Sequence, residues 1–133
     1  MKTDPYLFFG GQCSDAVDFY RDALGAEVRA FVRFRDMPGV ASDSGDNVMH
    51  AELNVGGSTI FASDGGRNGG SAGFAILLQA SDDLEAERLF SVLSADGQVE
   101  IPLMSTPFAS RFGQATDRFG TPWMITTPQP AAQ

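Results

Sequence analysis

Val48-Met-His-Ala-Glu-Leu-Asn-Val-Gly-Gly-Ser-Thr-Ile-Phe-Ala-Ser63 is a pair of alternating runs around two glycines. Such a pattern spells a β-hairpin, because the tightest hairpin turn needs positive φ at both of its central positions. With Gly56 and Gly57 as the turn, Val55 pairs with Ser58, Glu52 with Phe61, and His50 with Ser63. Side chains alternate across a strand. Ala51, Leu53, Ile60 and Ala62 therefore share an apolar face, and His50, Glu52, Asn54, Thr59, Phe61 and Ser63 share a mixed one where chemistry can sit.

Upstream of the hairpin, Tyr6–Phe9 reads as a strand ending at Gly10-Gly11. Ser14 is the expected N-cap of a helix that turns Ala16, Val17, Tyr20, Ala23 and Leu24 inward and stops at Gly25. Glu27–Arg35 alternates, with Val28, Ala30, Val32 and Phe34 on one face and Arg29, Phe31, Arg33 and Arg35 on the other. Pro38–Asn47 has the Gly, Ser and Asp content of a loop.

Downstream, Asp64–Gly73 is Gly-rich and reads as a linker, after which the same grammar restarts. Phe74–Gln79 is an apolar strand. Asp82 and Glu85 form a capping box opening a helix to about Ala95, with Leu84, Leu89, Val92 and Leu93 inward and Asp96-Gly97 as the stop. Val99–Met104 is a strand that Pro102 assigns to a sheet edge. Ala109–Thr116 and Pro122–Thr127 follow, joined by a turn that Asp117 shapes through an Asx-type bond, and the residues from Thr127 onward form a polar tail. Each half thus reads β-α-β-β-β. The expected architecture is α+β, a single domain of two βαβββ modules forming a curved mixed sheet around a cavity, with module one at about 5–64, a linker at 65–72 and module two at about 73–128. Repetition of one unit implies that neither half buries its sheet alone.

Composition narrows the function classes. Nine Lys and Arg against 17 Asp and Glu give a formal net charge of −8, the wrong sign for a nucleic-acid footprint. The N-terminal segment has an acid and a proline where a signal peptide would start its apolar core, and no apolar run reaches the ~20 residues of a membrane span. A cytoplasmic protein is the expectation. One Cys allows no intramolecular disulfide, and one His excludes a two-His metal site within one subunit.

Three segments, Tyr6-Leu-Phe-Phe-Gly with Ala16-Val-Asp-Phe-Tyr-Arg-Asp-Ala-Leu-Gly-Ala-Glu, Met49-His-Ala-Glu-Leu, and Gln114-Ala-Thr-Asp-Arg-Phe-Gly-Thr-Pro-Trp-Met-Ile, resemble the vicinal oxygen chelate superfamily of glyoxalase I, extradiol dioxygenases and antibiotic-resistance proteins. Within it the chain is most similar to the PhnB-like branch. The resemblance implies paired βαβββ modules, a small-molecule ligand and a homodimer. Metal-using members place His or Glu ligands on the first and fourth strands of each module. Here those stretches, Tyr6–Phe9, Ile60–Ser63, Phe74–Leu78 and Met124–Thr127, hold no His, Asp or Glu, and only Asp64 lies just beyond one of them. No metal or other cofactor is expected on these positions. The methyltransferase activity attributed to some PhnB-like proteins would call for a Gly-rich strand-to-helix turn, for which Gly10-Gly11 is too short.

His50 and Glu52 are the candidate catalytic pair, their side chains about 7 Å apart on one face of a strand. That spacing suits a general base with its helper, two ligands of a divalent metal, or a structural histidine beside a solvated acid. Arg33 sits in a basic row suited to a carboxylate or phosphonate, or to balancing nearby acids. Phe61, Ser63, Phe112 and Trp123 are the remaining candidate ligand contacts, with core packing as the competing reading for the aromatics. Cys13, near a helix start, is either a reactive thiol or a small packed residue. A sequestering binder without chemistry and a lyase or isomerase working through His50 and Glu52 are the two functions that follow.

Overall fold

The computed structural model describes residues 2, 4–36, 45–65 and 74–128. The chain divides into two compact units, Met1–Gly69 and Gly70–Gln133. The expected linker lies, apart from Gly65, outside the described residues, as does most of the expected loop at Pro38–Asn47.

The first unit contains β1 (Tyr6–Phe8), α1 (Cys13–Leu24), β2 (Glu27–Arg33), a 3-10 turn (Phe34–Asp36), β3 (Val48–Val55) and β4 (Ser58–Ser63). Its strands lie in the order β1-β4-β3-β2, β1 running parallel to β4 and the other pairs antiparallel. The hairpin forms with the expected register from Val55–Ser58 to Ala51–Ala62, but the expected His50–Ser63 pair is not in the ladder, Ser63 Oγ bonding Met49 O instead. Val55 faces Ser58, Glu52 faces Phe61, and Gly56 and Gly57 take φ of 57° and 87°. Ala51, Leu53, Ile60 and Ala62 are buried, together with Cys13, Ala16, Val17, Tyr20 and Ala23 of α1. These residues close the core of the unit.

The second unit repeats the plan. β5 (Ile76–Gln79), α2 (Asp83–Ser94), β6 (Gln98–Thr106), β7 (Ala109–Thr116) and β8 (Pro122–Thr126) give the order β5-β8-β7-β6, with β5 parallel to β8. Tyr6 pairs with Phe61 where Leu77 pairs with Met124, and Phe9 N donates to Ser63 O where Ala80 N donates to Thr126 O. The architecture is α+β, two βαβββ modules with one four-stranded mixed sheet each.

The structure departs from the sequence pattern at several places. β2 does not alternate throughout, because a bulge falls between Val28 and Ala30: Val28 faces Leu53, whereas Ala30 faces Glu52. The strand also ends at Arg33 rather than Arg35. Helix α1 is not capped by Ser14. Its N-cap is Gln12, whose side chain makes no capping bond, and Cys13 already belongs to the helix. The Asp82 side chain does cap α2 by accepting from Glu85 N, but Glu85 Oε1 reaches back to Ser81 N, one residue earlier than a standard box. Leu84 points outward and is 79% exposed; Ala86, Leu89 and Leu93 are the buried face. Thr127 is not tail: it is buried, and its Oγ1 accepts from Arg111 N at 3.0 Å.

Pro102 does lie in an edge strand, and pairing slips on both sides of it, as expected where a ladder donor is missing. Gly97 follows a left-handed Asp96 with φ of 59°, so the turn after α2 does not use Gly97 for a positive φ. What Gly97 supplies is space. A Cβ there would lie 2.2 Å from Thr116 O, a backbone atom of the neighbouring strand. Gly97→Ala is expected to force the β6–β7 ladder apart and to cost about 1–3 kcal/mol, read from urea melts followed by fluorescence of the single tryptophan.

Candidate functional site

The register gathers one set of side chains on the face of the first sheet opposite the buried one. Tyr6 of β1 faces Phe61 of β4, Phe61 faces Glu52 of β3, and Glu52 faces Ala30 of β2. A single row thus crosses the sheet. One step along, Phe8 flanks Tyr6, and His50 faces Val32.

Rings dominate this face. Tyr6 stacks on Phe8 at 5.0 Å and on Phe61 at 5.7 Å between centroids, and His50 stacks on Phe61 at 5.5 Å. Tyr6 Oη and His50 Nδ1 are 3.1 Å apart and share a hydrogen bond. Tyr6 is 42% exposed, so the platform is open at that end. The bond orients the imidazole through Nδ1 and leaves Nε2 for other partners; which atom donates across it follows the imidazole tautomer. Among the described residues Glu52 makes no hydrogen bond or ion pair.

The other candidates are distributed elsewhere. Arg33 lies over the ring of Phe31 with its guanidinium carbon 5.0 Å from the centroid, and it also donates to Asp46 O. Phe31 faces Ala51, on the buried side of the sheet, and the Arg33 charge acts on the Cys13 thiol of α1 on that same side. Arg33 is therefore not brought to the His50 face. Arg35 pairs with Asp46. Ser63 is buried; its Oγ donates to Met49 O at 2.7 Å and accepts from Gly65 N, which makes it a clasp between strands. In the second unit Trp123 is 1% exposed and its Nε1 donates to Asp117 Oδ2 at 2.9 Å. Trp123 and Ile125 of β8 turn to the core, so Trp123 belongs to packing there. Phe112 lies on the opposite face, facing Thr126 and Met104, in edge contact with Phe108. Asp117 makes the expected Asx-type turn by accepting from Phe119 N and Thr121 N.

Tyr6 and Phe8 are the members of the site that sequence reasoning left out. The signal was present in the aromatic first strand, but the pairing of Tyr6 with Phe61 brings together opposite ends of the module.

Asp64, the one acid near the superfamily's ligand positions, has other duties. Its Oδ1 accepts from Gly11 N and Cys13 N at 2.7 and 2.8 Å, and its Oδ2 accepts from Val48 N at 2.9 Å. Both oxygens are engaged in holding the start of α1 against β3. No group of three or more His, Cys, Asp or Glu is placed to hold a metal among the described residues.

Known proteins share this architecture. The paired modules are those of the glyoxalase/bleomycin-resistance/dioxygenase fold: a domain of that description from Frankia sp. EAN1pec superposes with a TM-score of 0.67 at 11% identity, covering 99% of this chain and 95% of its own. Residues 1–126 match the model of a family described as 3-demethylubiquinone-9 3-methyltransferase, and the chain belongs to that PhnB-like family. Protein YjdN of Escherichia coli K12 is 38% identical over 138 residues, 94% of each chain. The crystal structure of protein PA1353 from Pseudomonas aeruginosa matches at 39% identity with a TM-score of 0.89, over 98% of this chain and 99% of its own. A PhnB protein from Bacillus cereus, described as a putative 3-demethylubiquinone-9 3-methyltransferase, shares the fold at 24% identity and a TM-score of 0.80, over 96% and 99% of the two chains.

The junction at the start of α1 can be probed by substitution and by pH. Asp64→Ala leaves three backbone N–H groups without their acceptor and is expected to lose about 2 kcal/mol or more, whereas Asp64→Asn keeps one acceptor and loses less; paired denaturant melts compare them. Burial pushes the Cys13 thiol from 9.0 up to about 12, with the Asp64 carboxylate adding to the rise and Arg33 opposing it. Its folded pKa thus exceeds the unfolded one, so the unfolded chain ionises first and stability falls as pH rises from about 9 toward 12. Cys13→Ala should flatten that decline, and the native thiol should resist labelling at neutral pH.

Proposed function

We propose that this protein binds a small organic molecule on the open face of its first sheet, and that it does so without the superfamily's metal. The observation carrying the proposal is the Tyr6–His50 hydrogen bond set within the stack of Tyr6, Phe8, Phe61 and His50. Aromatic rings offer large flat contact area at low entropic cost, and a hydrogen-bonded imidazole gives that area a fixed polar edge. Glu52, next to Phe61 in the row, adds a carboxylate at the same place. The expected setting is the cytoplasm and the expected assembly a homodimer.

A second reading rests on the same bond. Tyr6 orients His50 so that Nε2 can exchange a proton with a bound molecule, with Glu52 as helper. That is the arrangement of a lyase or isomerase that moves a proton on its substrate. The two readings separate on turnover: a binder releases its ligand unchanged, while the enzyme loses kcat in His50→Ala with the fold intact.

The chain's single histidine makes the test direct, because one imidazole signal appears in the proton NMR spectrum and it belongs to His50. A panel of small metabolites should contain compounds that shift this signal and raise Tm, as selective binding to the native state requires. Tyr6→Ala should abolish both effects. Protein purified without chelator should carry no stoichiometric zinc or nickel. Tight stoichiometric metal, or ligands that raise Tm without moving the His50 signal, would overturn the proposal.

A further inference from the structure

The open face of the first sheet carries acids at paired positions, and Arg29, the extra residue of the β2 bulge, makes no ion pair with them among the described residues. Glu52 sits in the middle of the row, and Glu27, facing Asn54, lies toward the edge. Arg33, paired with Val48 beyond a second irregularity in β2, is committed to Phe31 and Asp46 instead.

The row Tyr6, Phe61, Glu52, Ala30 has a spatial logic. Neighbouring strands are about 4.8 Å apart, and directly opposed side chains have their Cβ atoms about 4.5–5.5 Å apart. A flat ring lying on Phe61 therefore brings a substituent one strand further on, above Glu52. Ala30, the next member, has only a methyl group and no charge to pair with the carboxylate. The faces of Tyr6 and Phe61 carry negative quadrupole density, which favours a cation over an anion of the same shape. The net charge of −8 biases the encounter in the same direction.

We infer that the ligand of this face is a flat organic cation, an aromatic ring bearing an amine or amidine, whose ring stacks on Phe61 and Tyr6 while its charged nitrogen pairs with Glu52. This rests on the open face being the binding site and adds the chemical class that it takes. It assigns Glu52 the role of setting charge preference and Phe61 that of setting shape.

Benzamidine, benzamide and benzoate test this, being nearly one shape in positive, neutral and negative form. Each is titrated into the protein at constant pH and ionic strength while the His50 imidazole signal is followed. Benzamidine should bind about tenfold more tightly than benzamide, and benzoate weakest of all. In Glu52→Gln the preference for benzamidine over benzamide should vanish with the fold intact; in Phe61→Leu both should weaken together. If the three bind equally, or benzoate binds best, the cation assignment is overturned while the site itself stands. If none of the three shifts the signal although a metabolite from the broader panel does, the assignment falls by itself. An unchanged preference in Glu52→Gln would also overturn it.

Discussion

One carboxylate holds the first unit in register. Asp64, directly after β4, accepts from backbone N–H groups of the β1–α1 turn, of the first residue of α1, and of the first residue of β3. The donors on Cys13 and Val48 are part-buried and, left unpaired, would cost the water bonds they gave up. By satisfying all three donors at once, Asp64 fixes where the helix starts relative to two strands. The sheet face carrying Tyr6, His50 and Phe61 inherits its geometry from that junction. The second unit solves the corresponding junction with neutral groups, Thr127 exchanging bonds with the Arg111 backbone where Asp64 meets Val48.

Topologically equal modules have thus been given different open faces. Tyr6, His50, Glu52 and Phe61 occupy the first. The register puts Leu77, Phe112, Gln114 and Met124 at the equivalent places of the second. The shared backbone plan explains the fold likeness to proteins of many activities, since a scaffold positions side chains without prescribing them. The chemistry of this chain lies in the choice at those positions.

Much of the fold was legible because it rests on local rules. The Gly56-Gly57 turn fixes the hairpin register by the φ that only glycine takes without strain, and the alternation of Ala51, Leu53, Ile60 and Ala62 fixes which face is buried. The Asp82 cap and the edge position of the Pro102 strand follow from similar near-neighbour chemistry. Legibility failed where the partner is distant. Ser14 is a good N-cap by composition, yet α1 already begins at Cys13, because Asp64, 51 residues away, accepts from Cys13 N. Strict alternation from Val28 would send Arg33 to the face opposite the core, but the bulge after Val28 resets the phase of β2. Trp123 has the character of a ligand wall, although the β8 register turns it to the core and onto Asp117.

Periodicity, turn chemistry and residue type, each acting over a few neighbouring residues, are thus sufficient for the repeated βαβββ plan. They are sufficient also for the hairpin register with His50, Glu52 and Phe61 on one face, and for the absence of metal-binding side chains from the family's strand positions. Long-range pairing is what brings Tyr6 to His50, turns Arg33 away from it, and engages Asp64 with backbone donors. Those outcomes depend on the parallel pairing of β1 with β4 and on a bulge in β2, contacts between segments whose separation along the chain leaves no local trace.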